Sequence, residues 1–225
     1  MNSAFVIALI ALAGSIFSTL LTVFGAPVLQ ARRDARKALD IYREPLLSAA
    51  YELQSRIYNI LQLKFVEKFI AGDGAGKREV GINSTLYVFA QFFGWREIIR
   101  HEVEYLRFPR YGQTRETARL LRTIEETFLD SNRGPQLMIW RAEQRGLGER
   151  MITTANGKMS CLGYASFLDQ CAAMNVWLEP LKRDLEQLDD DGRKRLVDLQ
   201  HQLLDLVRQL DRKHVRYSLQ ELRRA

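Results

Sequence analysis

From Met1 to Ala31 the chain carries no ionisable side chain. The 21 residues from Ala4 to Phe24 are apolar or hydroxylic; at about 1.5 Å rise each they span roughly 30 Å, the thickness of a hydrocarbon core. A cleaved signal peptide opens on positive charge, whereas the first cation here is Arg32. Arg32, Arg33, Arg36 and Lys37 then follow, with Asp34 against them. The positive-inside rule therefore predicts one uncleaved anchor, with its short N-terminus outside and everything from Arg32 onward in the cytosol.

On a helical wheel that anchor has two faces. Ala4, Ala8, Ala11, Ser15, Ser18, Thr19, Thr22 and Ala26 fall in one sector. Phe5, Leu9, Ile10, Ile16, Phe17, Leu20, Leu21 and Phe24 fill the rest. A small, hydroxylic stripe lets helices approach closely and bond across an interface, so the reading is self-association through this face. In a ring of such helices the same stripe would line a narrow, uncharged passage. Gly25 and Pro27 stand at its cytosolic end, where a loosened chain and a missing N–H make a hinge.

The chain is long enough for one medium domain beside the anchor. Its 47% hydrophobic and 27% charged content excludes the disordered class. A formal charge of +6 suits the bilayer surface or an anionic ligand, and no duplex DNA binding is expected. Cys161 and Cys171 show neither disulfide-framework nor zinc spacing and read as reduced thiols.

Beyond Arg32 the pattern is helical, giving an all-α expectation: one N-terminal transmembrane helix followed by a cytosolic multi-helix bundle. The organisation reads as 1–26 transmembrane helix, 27–44 basic stalk, 45–188 helical domain, and 189–225 C-terminal helix with a basic tail. Glu44-Pro45 is expected to break the chain, with Pro45 opening a helix that repeats Leu46, Ala49, Ala50, Leu53, Ile57, Ile60, Leu61 and Phe65. The stretch 72–81 reads as a flexible loop. It lacks the first glycine and the Ser/Thr of a phosphate-binding loop, since Ala71 and Arg78 stand there. Asn83, Ser84 and Thr85 offer caps for a helix whose aromatics, Tyr87, Phe89, Phe92, Phe93 and Trp95, are core. His101-Glu102 is no zinc motif, because Tyr105 occupies the second histidine position. Pro109 and Gly112 end that helix, and another follows with Leu120, Leu121, Ile124 and Phe128 inward.

The segment 136–152 is the most distinctive of the remainder. Arg141, Arg145 and Arg150 flank Gly146 and Gly148, each costing roughly 1 kcal/mol inside a helix. Either the glycines permit a close backbone approach and the arginines pair with Glu143 and Glu149, or the arginines, joined by Lys158 of a loop at 153–158, bind an anion. A further helix is expected to be interrupted near Pro180, and Asp189 to Gly192 break the chain again. Leu196, Leu199, Leu203, Leu206 and Leu210 form a two-heptad seam, too short for a free coiled coil and expected to pack within the molecule.

Residues 42–61, 86–106, 141–151 and 160–167, in this order, resemble a family of largely uncharacterised bacterial helical proteins. The layout is also similar to membrane effectors of anti-phage defence, such as the channel-forming effector of the Hailong system. That resemblance implies a bacterial inner-membrane homo-oligomer, with a tetramer favoured, whose channel is opened from the cytosol by an anionic nucleotide or oligonucleotide. It implies no cofactor. With three isolated histidines and no nucleophile motif, an enzyme is not expected. The competing expectation is a membrane-tethered helical interaction module without a pore.

Overall fold

The computed structural model describes residues 26–70, 76–104, 112–155, 157–218 and 220–225. The apolar run up to Gly25 lies outside them, and no helix among the described residues is long and apolar enough to cross a membrane. The chain is mostly helical: α1 (Ala26–Gln62), a short α2 (Phe65–Phe69), α3 (Arg78–Glu104), α4 (Gly112–Leu129), a 3-10 turn (Ser131–Arg133), α5 (Arg141–Arg150), α6 (Tyr164–Glu186) and α7 (Asp190–Leu210). Between α5 and α6 stand β1 (Ile152–Ala155) and β2 (Lys158–Cys161). Helix α1 packs on α3 and α7, α4 on α7, and α3 carries α5, the hairpin and α6 on its other side.

Neither proline breaks its helix. Pro45 lies inside α1 and Pro180 inside α6. A proline in a helix interior costs about 3 kcal/mol or more, chiefly by orphaning the carbonyl four residues back. Here those carbonyls belong to Ile41 and Val176, residues 60% and 69% exposed, so water can satisfy them. Against that cost, Leu46, Leu47, Ala49, Ala50 and Leu53 are all buried, and each buried leucine contributes roughly 1.5–3 kcal/mol. Packing outweighs the local break.

The all-α expectation needs one amendment, because the stretch around Lys158 is an antiparallel hairpin. Ile152, Thr153, Thr154 and Ala155 pair with Cys161, Ser160, Met159 and Lys158. The sequence between the strands reads Asn-Gly, the dipeptide that a right-twisted hairpin prefers, and Gly157 has φ +72°. The hairpin lies against α3 at Gly94, where a Cβ would come 2.5 Å from Cys161 Sγ and 2.8 Å from Met151 Cβ. Only glycine leaves room there.

Helix α3 starts at Arg78, earlier than the hydroxyl-rich triplet suggests. Instead of capping, Ser84 and Thr85 donate back to the Gly81 carbonyl at 3.1 and 2.8 Å. Its aromatics Phe89, Phe92 and Phe93 are wholly buried, with Phe128 of α4 set edge-on to Phe89 and Phe93 at 6.3 and 5.2 Å. Asp189 accepts from the Gly192 N–H at 2.7 Å and so starts α7, with Asp190 and Asp191 in its positive first turn. All five leucines of the seam are buried inside the molecule. A single apolar cluster runs from Tyr42 to Leu222.

Candidate functional site

Where α5 crosses α3 the core turns polar. The crossing is close because Gly148 faces α3 without a side chain: a Cβ there would lie 2.7 Å from the Phe93 carbonyl oxygen and 3.0 Å from Glu97 Cβ. Gly146 is similarly covered by the Trp177 ring, 2.8 Å from its would-be Cβ. The two glycines therefore serve close packing on two sides of α5.

Three polar side chains are buried at this crossing, namely Arg96, Glu97 and Gln144. The Arg96 Nη1 donates to Gln144 Oε1 at 2.6 Å, and its guanidinium lies 3.7 Å from Glu125 and 5.7 Å from the Phe93 ring centre. Gln144 Nε2 in turn donates to the Ile139 carbonyl at 2.8 Å. Burial pulls the Arg96 guanidinium below its ordinary range; Glu125 and Glu97 oppose that shift, while Arg145 and Arg100 reinforce it. One helical turn on, Arg100 Nε donates to both oxygens of Glu97 at 2.9 Å. His101 Nε2 lies 3.4 Å from Glu97 Oε1. Glu149, next to Gly148, completes a Glu97–His101–Glu149 set whose ligand atoms all lie within 4.8 Å of one another.

The four cations that the sequence suggests for an anion site are not equivalent. Arg141 Nε is bound to Glu125. Arg145, four residues along α5, is exposed and close enough to Arg96 to oppose its charge. Arg150 ends α5 and Lys158 sits at the hairpin turn, both exposed and with no side-chain hydrogen bond or ion pair among the described residues. Glu143 does not pair with an arginine; its Oε2 accepts the Trp140 N–H at 2.7 Å and starts α5. Of the stripe residues, Ala4, Ala8, Ala11, Ser15, Ser18, Thr19 and Thr22 lie outside the described residues, as does Gly25. Ala26 and Pro27 have helical backbone at the beginning of α1.

Sequence reasoning passed over Glu97 and took Glu149 only as an ion-pair partner of the arginines. The signal for the first pair was present, since Glu97 and His101 stand four apart and share a helix face. Glu149 could be added only by the crossing itself.

A shallow cleft of about 540 Å³ lies beside the C-terminal end of α4. Two of its charged groups are tied up internally, because Arg133 is bound to both Asp130 and Asp198. Thr127 and Gln202 likewise bond each other at 3.0 Å. The polar crossing is the better candidate.

Among known proteins, no family model, no curated protein and no solved structure matches this chain.

Proposed function

We propose that this chain is a homo-oligomeric membrane effector whose N-terminal helices bundle into an ion-conducting pore gated by the helical domain. Its setting is the bacterial inner membrane, and the resemblance to anti-phage effectors suggests defence as its role. The observation that carries the reading is the continuity of α1. From Ala26, at the foot of the uncharged run, it passes Pro45 without a break and ends at Gln62. Its 37 residues make a rod of about 55 Å. The far half of the rod holds Leu46, Leu47, Leu53, Ile57 and Ile60 in the core. A tilt of the domain is therefore transmitted to residues 26–40 without a flexible joint. On this reading the anionic signal acts beside the α3–α5 crossing, where Arg145 and Arg150 are exposed.

The test is a set of three variants of the full chain, assayed for conductance in liposomes and for cellular effect. Replacing residues 1–25 by an unrelated single-span anchor is expected to abolish both, as is Ser15→Leu with Thr22→Leu. Inserting two glycines after Lys37 is expected to uncouple the domain from conductance while leaving the oligomer intact. Retained cellular effect after the anchor swap would instead establish a tethered interaction module. A monomeric mass in detergent removes the pore outright.

A further inference from the structure

We propose that Glu97, His101 and Glu149 form a binding site for one first-row divalent transition ion, zinc being the probe. The inference is independent of the pore reading. Two atoms bound at about 2.1 Å to one tetrahedral centre lie about 3.4 Å apart. Glu97 Oε1 and His101 Nε2 are 3.4 Å apart. That separation is long for a direct N–H···O hydrogen bond and matches two ligands of a shared ion. The Glu149 carboxylate stands within 4.8 Å of both, on an exposed side chain that needs to move by only about 1 Å to close the set.

The surroundings are those of a held ligand. Glu97 is 1% exposed and fixed by Arg100, whose Nε reaches both carboxylate oxygens at 2.9 Å. Arg100 Nε and Nη2 both reach Oε1, while Oε2 takes the Nε alone, so an ion on the side facing His101 takes the place of one of the two Arg100 contacts at Oε1. Hydrogen-bonded carboxylates of this kind are the usual support of metal ligands. Gly148 sets the third ligand in place by letting α5 touch α3 at Glu97 Cβ. One imidazole and two carboxylates select zinc, iron or manganese over calcium and magnesium, which favour all-oxygen sites. Three protein ligands also leave a coordination position open to water or to a ligand.

The experiment titrates zinc into the full chain in detergent, by calorimetry and by thermal unfolding, with Cys171→Ser as background to remove a competing thiol. One ion per chain is expected. At free zinc about a hundredfold above Kd, Tm is expected to rise by roughly 5–10 °C. His101→Ala and Glu149→Gln, both of exposed or half-exposed residues, are each expected to weaken uptake at least tenfold with unchanged circular dichroism. His201→Ala, remote from the site, is expected to keep it. The proposal is overturned if zinc, manganese and iron(II) all fail to saturate one site, or if both ligand variants bind zinc as the parent does.

Discussion

Among the described residues two arginines are buried, and they are held in opposite ways. Arg195 of α7 is fully enclosed and gives its guanidinium entirely to main-chain carbonyls: Nε to Gln136 at 3.0 Å, Nη1 to Thr127, and Nη2 to Asp130 at 3.0 Å and Gly134 at 2.6 Å. Arg96 of α3 is held by side chains, Gln144 and Glu125, with Arg100 and Arg145 near it. Backbone acceptors belong to one conformation of one loop, so Arg195 fixes the connection from α4 to α5. Side-chain acceptors belong to no single backbone conformation, so Arg96 ties α3 to α5 without fixing a loop. The first arginine is a rivet, and the second belongs to a site.

The largest effect that breaks this contrast is expected at the rivet. Arg195→Leu keeps the volume apolar but leaves four carbonyls without their donor. An orphaned buried acceptor costs about 1–3 kcal/mol, reduced where water reaches it. Three of those four bonds are only part-buried, so the expected loss is about 3–5 kcal/mol in urea unfolding. Arg195→Lys offers a compact ammonium in place of a planar fork and is expected to recover less than half of that. An unfolding midpoint equal to the parent's for both variants would mean the loop is held by something else.

Next in size is Gly148→Ala. The new methyl meets the Phe93 carbonyl and Glu97 Cβ, and neither is the free end of a flexible chain. Forcing the helices apart is expected to cost about 1–3 kcal/mol. It is also expected to move Glu149 away from His101, so zinc uptake falls in a protein that still folds. Arg96→Met is expected to cost less, about 1–2 kcal/mol. It orphans only Gln144 Oε1, since Glu125 keeps Arg141, and it removes the cost of burying a charge. If Arg96→Met proved as damaging as Arg195→Leu, the distinction between rivet and site would be lost.

How far the sequence showed these two places differs in the same sense. The leucine seam that carries Arg195 was legible because every third or fourth residue of α7 is apolar, and the five leucines are buried as that spacing requires. Arg195 itself sits among the charged residues between them, and nothing local marks it as buried; its acceptors lie 59 to 68 residues away. The aromatics of α3 were legible as core because they cover more than one helix face; Phe89, Phe92 and Phe93 are buried, and Tyr87 and Trp95 pack half-buried against them. The unbroken courses of α1 and α6 were not, because local proline rules omit the burial that outweighs them and the exposed positions of Ile41 and Val176 four residues back. The hairpin was legible in principle from Asn-Gly, but its strands are four residues long and carry no alternation strong enough to stand out. At the crossing, the glycines suggested close approach and the structure supplies its partners, Phe93, Glu97 and Trp177. The Glu97–His101 spacing was visible, yet the search for a second histidine passed over a carboxylate supplied by another helix.

The smallest expected effect bears on whether Arg145 belongs to the crossing or merely faces solvent. Arg145 is exposed, and its charge acts against the buried Arg96. Removing an exposed side chain ordinarily changes stability by less than about 0.5 kcal/mol, and Arg145→Ala is expected to stay within that bound. The sign is the informative part. Relief of like-charge repulsion at a buried guanidinium is expected to leave the variant equal to or slightly more stable than the parent in low salt. The difference should shrink as salt is added. That outcome would show that the Arg145 side chain, which makes no hydrogen bond among the described residues, contributes nothing to the fold, as the proposed anion-facing role requires. A clear loss of stability on Arg145→Ala, independent of salt, would return that arginine to the scaffold and leave the crossing with Glu97, His101 and Glu149 alone.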